Sequence, residues 1–329
     1  MGLLRQIPRS AWICAIVAFL NVVSWSIFVP AFQGPDEQAH FAYVQQLVEA
    51  HALPSSSSEQ FSPEETVALV DLQFQELILN PAMRFISSAP QQRRLERDEA
   101  LHLSRRGSGG AGVAYSQPPL FYLLQTIPYT LGAHATILSR LELMRLLSAL
   151  LAAVTVVFVY LFLCEALPGA PWAWTVGALC AALAPLFGFA SSAVNPDVLL
   201  FAVAAVIFYS LARAFRRGLT HQTAILIGAL LAVGFMSKLN FVGMVPGILL
   251  GLAVLTRRHA STSGRSAYRS LLVALGIAFT PGLLYTGINL LSGRPAFGLL
   301  SSAIKSTTRH GSLLAELSYV WQFYLPRLP

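Results

Sequence analysis

Charge is what this sequence has least of. Only 11% of its 329 residues are Asp, Glu, Lys or Arg, while 55% are hydrophobic. A water-soluble domain carries about 25% charged residues. A chain this apolar cannot hide its surface in one core and needs lipid as solvent, which excludes a soluble enzyme. Cysteine is also scarce. Cys14, Cys164 and Cys180 lie in apolar runs without metal-ligand spacing, so they read as small hydrophobes, and a disulfide framework is excluded. Lysine occurs twice, at Lys238 and Lys305. The net charge of +7 comes from arginine clusters between apolar runs, where topology and anionic lipid explain it. No nucleic-acid partner is expected. No internal repeat is visible.

What is present is a series of apolar runs: Ala11–Pro30, Leu143–Cys164, Ala173–Ser192, Val198–Ala214, Ala224–Met236, Phe241–Leu255 and Leu271–Leu291. A transmembrane helix needs about 20 residues. The first run is long for a signal peptide and has no small-x-small cleavage site after it, so it reads as an uncleaved span. Pro118–Leu131 is shorter and suits an interfacial or re-entrant helix. The basic clusters decide the topology. With Arg5 and Arg9 in the cytoplasm and Pro118–Leu131 not spanning, Arg213, Arg216, Arg217, Arg257, Arg258, Arg265 and Arg269 all fall inside. The expectation is an all-α polytopic membrane protein of about seven spans, forming a single domain over 1–329, with the N-terminus cytoplasmic and the C-terminal tail outside.

Between the first two runs lies a large extracytoplasmic loop, residues 31–139, holding eleven of the fifteen acidic residues. It carries interfacial helices, a serine run at Ser55–Ser58 and a loose stretch, Arg105-Arg106-Gly-Ser-Gly-Gly, expected to be mobile. At its head stands Gln33-Gly34-Pro35-Asp36-Glu37-Gln38-Ala39-His40-Phe41. Gly-Pro makes a turn, Pro35 starts a helix, and Asp36 and Glu37 fall in its first turn, with His40 on the face of Asp36. The helix dipole there favours ionised carboxylate, which suits a general base or a metal ligand. Read locally, the same acids are ordinary helix caps. Asn195-Pro196-Asp197 and Ser237-Lys238 fall on the same side of the membrane. Their bland readings are a capped turn and a lysine snorkelling to the interface. Arg294 follows the last span, also outside. Carboxylates and cations on one face can hold a divalent metal, with Asp36 and Asp197 as ligands, and an anionic phosphate.

The order of a span, Pro-Asp-Glu-x-Ala-His-Phe, a long loop closing with Gln117-Pro118-Pro119-Leu120-Phe121-Tyr122-Leu123, then Arg145-Leu-Leu-Ser-Ala-Leu-Leu and Asn195-Pro-Asp197 resembles the GT-C superfamily of membrane glycosyltransferases. Within it, the likeness is to the bacterial family catalogued as domain of unknown function 2142. It covers essentially the whole chain. The resemblance implies a polyprenyl-phosphate-linked sugar donor, a cell-envelope acceptor and a bacterial plasma-membrane location. It implies Asp36 as catalytic acid residue with Glu37 beside it, Asp197 as the second acidic site, and transfer with inversion. His40, Gln117, Lys238 and Arg294 would bind substrate. Gln117 stands where relatives carry His or Lys and supplies no cation, and Gly34 replaces a more usual proline. Relatives continue into further spans, so the chain is expected to be truncated at its C-terminus.

Two other classes remain open. One is a transporter or flippase of lipid-linked material, which calls for repeats and midplane ionisable groups. The span interiors here are nearly free of charge, which favours the enzyme. The other is a non-catalytic envelope scaffold with membrane lipid as its partner.

Overall fold

In hydrocarbon every backbone N–H and C=O must find its partner within the segment, so apolar runs become helices. The computed structural model describes residues 7–55, 58–80, 88–263 and 265–292. Its helices are α1 (Arg9–Phe28), α2 (Glu37–Ala50), α3 (Pro63–Asp71), α4 (Phe74–Leu79), α5 (Ala89–Glu99), α6 (Leu120–Leu131), α7 (Ile137–Ala166), α8 (Pro171–Ala182), α9 (Pro185–Ser191), α10 (Asp197–Arg217), α11 (His221–Ser237), α12 (Val245–Ser263) and α13 (Arg265–Leu291). The strands β1 (Glu59–Gln60) and β2 (Gly110–Ala111) pair antiparallel, with Glu59 opposite Ala111. The protein is an all-α polytopic membrane protein. The chain divides after Gly282. Of the second unit the structure describes residues 283–292, chiefly the end of α13.

Five segments are long and apolar enough to span: Arg9–Phe28, Ile137–Ala166, Asp197–Arg217, Leu239–Arg258 and Tyr268–Leu291. The expected span 173–192 is broken instead into α8 and α9, bent by 55°. Pro185 opens α9, and its ring and missing N–H interrupt the ladder there. Counted as one, the pair is a sixth span. The expected span at 224–236 is α11, an apolar helix of 17 residues, at the lower edge of the spanning range. Among the described residues, length and composition therefore support five or six spans; the expected seventh, α11, is shorter than these. α6 has 12 residues, which reach about 18 Å against about 30 Å of hydrocarbon.

α7 is the central element and packs along α1, α8, α10 and α6. It begins six residues before the expected start, at Ile137, where the Thr136 hydroxyl accepts from Ser139 N–H at 3.3 Å. The early start was hidden because Arg140, Glu142 and Arg145 look like loop residues. The helix instead starts within the 31–139 loop, and loop side chains take up the arginines, Glu64 for Arg140 and Glu37 for Arg145. Arg140 is fully buried. It donates to Tyr129 Oη at 2.6 Å and to Glu64 Oε1 at 2.5 Å, with its guanidinium 4.9 Å from the Tyr129 ring centre. Gln45 donates to Glu64 Oε2 at 3.1 Å, and Ser108 Oγ donates to Gln45 Oε1 at 2.6 Å.

That last bond corrects the reading of the Arg105–Gly110 stretch as loose. Ser108 is buried, Arg105 pairs with Glu64 at 3.3 Å, and Ser55 N–H donates to Gly109 O at 2.9 Å. Gly110 lets the segment lie close against the Ser58 carbonyl, where a Cβ would collide. Residues 56 and 57 of the serine run lie outside the described residues.

One member of this region is unpaired. Glu65, on α3, is fully buried, and neither carboxyl oxygen has a hydrogen-bond partner among the described residues. Burial first, then the neighbouring Glu64, pushes its carboxyl well above the ordinary range, which favours its neutral form. A raised folded-state pKa contributes stability that is complete below the ordinary carboxyl range and is lost as pH rises. Glu65→Gln should therefore match wild type near pH 4 and exceed it increasingly toward pH 8 in thermal unfolding. Parallel pH profiles would refute a neutral Glu65. For topology, in a cysteine-free background, Gln60→Cys should react with a membrane-impermeant thiol reagent in sealed cells and Gln222→Cys should not. Equal labelling would overturn the assignment of sides.

Candidate functional site

Four helix ends meet at one end of the bundle: the C-termini of α1 and α11 and the N-termini of α7 and α10. The meeting is organised by Arg145. In α1 the carbonyl of Ser26 would normally accept from residue 30, but Pro30 has no N–H. Val29 and Pro30 follow with carbonyls that have left the helix. Arg145 Nη1 donates to Ser26 O and Val29 O, both at 2.9 Å, and Nη2 donates to Pro30 O at 2.9 Å. Nε and Nη2 also donate to the two carboxylate oxygens of Glu37, at 2.8 and 2.5 Å. All five guanidinium donors are used. Glu37 Oε1 accepts in addition from Val194 N–H at 2.9 Å. Glu37 has no exposure, and Arg145 is 3% exposed.

Glu37 is thus a structural anchor for α1, α7 and the 193–195 turn. The pairing with Asp36 as a second catalytic carboxylate does not fit this geometry. Asp36 is not in the first helical turn either. It is the residue before α2, in a left-handed conformation at φ 55°, ψ 23°. Aspartate tolerates that region better than most residues, at some cost. The turn sends Glu37 inward and leaves Asp36 exposed, with no side-chain hydrogen bond or ion pair among the described residues. The preceding Gly34 has no room for a side chain, because a Cβ there would collide with the Ala193 methyl.

The second acidic site sits alongside. One Asn195 side chain joins the two: its Nδ2 donates to Pro35 O at 3.1 Å, and its Oδ1 accepts from Asp197 N–H at 2.9 Å. Asp197 opens α10, where the helix dipole favours its charge. Its Oδ1 lies 2.7 Å from Lys238 Nζ, with the two side chains 30% and 12% exposed. Lys238 ends α11 as its cap residue.

His40 does not share an open face with Asp36. It is buried, with Nδ1 2.9 Å from Tyr122 Oη. Burial, and then the charge of Lys238, lower its pKa to about 3, so its ring is neutral. Tyr122 stacks on Tyr43 at 3.7 Å between ring centres. Tyr43 Oη donates to Gln117 O at 3.3 Å, and Gln117 Oε1 accepts from Leu239 N–H at 3.3 Å. Gln117 therefore positions the backbone that carries Lys238, and Lys238 is the cation of the site. Arg294 lies outside the described residues.

The metal role expected of Asp36 and Asp197 does not fit these residues. Lys238 already holds Asp197, and among the described residues no three His, Cys, Asp or Glu side chains form an ion-holding group. No step is derived through a metal.

Residues 19–310 match the family described as predicted membrane protein, DUF2142. The chain belongs to this family. The match includes the Arg145–Glu37 pair, Asp36, Asn195, Asp197 and Lys238. The DUF2142 description states a membrane location and no chemistry. No curated protein and no solved structure matches the chain.

Sequence reading missed the roles of Arg145, Asn195 and Tyr122. Arg145 gave a signal, since an arginine at the head of an apolar run needs a named partner. Asn195 was readable as a turn capping Asp197, but its bond to Pro35, like that of Tyr122 to His40, gave no signal because the partner lies far away in sequence. The pair is open to a direct check. Removing one partner of a buried ion pair costs about 3–5 kcal/mol, whereas an exposed change stays within about 0.5 kcal/mol. Glu37→Gln and Arg145→Met should lower thermal stability strongly in lipid or detergent, and Asp36→Asn should not. Equal stability of Glu37→Gln and Asp36→Asn would exclude the anchoring role.

Proposed function

We propose that this protein is a GT-C-type membrane glycosyltransferase, moving a sugar from a polyprenyl-phosphate donor to a cell-envelope acceptor. The reading places it in a bacterial plasma membrane, with the N-terminus cytoplasmic and the site outside. One observation carries it: an exposed, unpaired Asp36 is held on a strained turn by a saturated buried anchor, beside an Asp197–Lys238 ion pair. A positive-φ residue that its surroundings over-determine points to a function for its side chain.

In this reading Asp36 takes the proton from an acceptor hydroxyl. The oxygen attacks the anomeric carbon opposite the phosphate. The bond from that carbon to phosphate oxygen breaks, the polyprenyl phosphate leaves with the electron pair, and the anomeric centre inverts. Lys238 turns from Asp197 to the departing phosphate and offsets its charge. Asp197 is then a positioning residue that stores the cation between turnovers, rather than a second base. His40, neutral and buried, supports Tyr122 and the wall of the site.

The test is transfer from synthetic polyprenyl-phosphate sugars by membranes containing the full-length protein. Loss of a general base typically costs about 10² to 10⁴ in rate. Asp36→Asn should abolish transfer at unchanged thermal stability, and Lys238→Met should weaken donor use more than acceptor use. Full activity of Asp36→Asn would rule out its role as base. No turnover across a broad panel of donors would favour a scaffold or a carrier of lipid-linked material.

A further inference from the structure

Next to the Arg145 anchor, the ends of α1 and α7 frame a groove of about 760 Å³, whose lining includes neither Asp36, Asp197 nor Lys238. That size lies within the range of small-molecule sites, roughly 300–1,000 Å³. Val23 and Ile27 of α1 face Leu138 and Leu146 of α7 across it, and Leu72 of the outer loop completes the wall. Both long walls belong to helices long and apolar enough to span, so a lipid chain can reach the groove from the bilayer side. Ile27 is 77% exposed and Leu146 42% exposed, which a hydrocarbon occupant would cover.

Its polar residues are few: Ser26, Ser139, Glu142 and Arg145. Arg145 cannot recognise a ligand, because all five of its donors are taken by Glu37 and by the carbonyls at the end of α1. Glu142 is exposed, and its carboxylate has no hydrogen bond or ion pair among the described residues. Among the described residues the one unmatched charge of the groove is therefore negative, and an anionic head group would meet repulsion there and no free cation. An ammonium would meet a carboxylate at the mouth of an apolar slot.

We propose that this groove binds an amine-bearing phospholipid of the outer leaflet, one acyl chain lying between α1 and α7 and its ammonium pairing with Glu142. The site is separate from the Asp36–Lys238 site. Its charge also makes it a poor seat for a polyprenyl phosphate. The preference runs against the protein's overall balance, since a net charge of +7 favours anionic lipid in general.

The experiment is competition between phosphatidylethanolamine and phosphatidylglycerol of identical chains for the full-length protein, read as lipid retained in native mass spectrometry. An exposed ion pair corresponds to a preference of about two- to five-fold. Wild type should retain phosphatidylethanolamine over phosphatidylglycerol by that factor. Glu142→Gln should erase the preference, and Ile27→Trp, which narrows the groove, should reduce retention of phosphatidylethanolamine. Thermal unfolding confirms that both variants fold; both positions are exposed. Equal or greater retention of phosphatidylglycerol by wild type would overturn the proposal, as would a preference that survives Glu142→Gln or undiminished phosphatidylethanolamine retention by Ile27→Trp.

Discussion

The buried Arg145–Glu37 pair is the interaction on which this end of the helix bundle depends. It solves three problems with one guanidinium. It supplies the donor that Pro30 cannot give to the end of α1, neutralises a carboxylate without exposure, and through that carboxylate fixes the turn before α10. A buried ion pair often fails to repay its desolvation. Here the cost is offset in part because the arginine also donates to three backbone carbonyls, of which the buried Val29 carbonyl and the Ser26 carbonyl facing Pro30 lack a helical donor. Its contribution is better described as fixing the geometry of four helix ends than as adding net stability.

The geometry so fixed has a direct chemical consequence. Asp36 and Glu37 are adjacent and chemically alike, yet they do opposite work. The left-handed backbone at Asp36 turns one carboxylate to solvent, and the anchor draws the other inside. Asn195 repeats the pattern on the second turn, holding Pro35 with one end of its amide and the start of α10 with the other. The relative placement of Asp36 and Asp197 is thereby transmitted through short hydrogen bonds between rigid helix ends, which is how a site keeps its shape without a bound ligand.

The all-helical membrane fold was legible because burial in lipid forces it: an apolar run of sufficient length has no other way to satisfy its backbone. Leu120–Leu131 was legible for the same reason, being too short to span. Features that depend on pairing were not. The early start of α7 was hidden because Arg140 and Arg145 look like loop residues until their partners, Glu64 and Glu37, are known. The 55° break between α8 and α9 was signalled by Pro185 alone, inside a run whose hydropathy is uninterrupted. At the site, the positions of Asp36, Asp197 and Lys238 were readable from their places at span mouths. Which carboxylate faces out was not, because the inversion between Asp36 and Glu37 rests on an arginine more than a hundred residues away.

The distribution of unsatisfied charge draws these threads together. Near the anchor, Arg145 and Glu37 are saturated, and Asp197 and Lys238 satisfy each other. Among the described residues two carboxylates are left over, Asp36 toward water and Glu142 toward the groove. Arg145 contacts both regions, lining the groove while holding the neighbour of Asp36. Its charge is spent on Glu37 and its donors on the end of α1, so it can neither pair with Asp36 nor bridge to Glu142. Saturating this arginine is what leaves both carboxylates free. A lysine in its place, with three donors on a flexible stem, could not satisfy all the acceptors at once. The two open carboxylates therefore follow from one structural choice, a five-donor residue placed where Pro30 leaves a carbonyl without its partner.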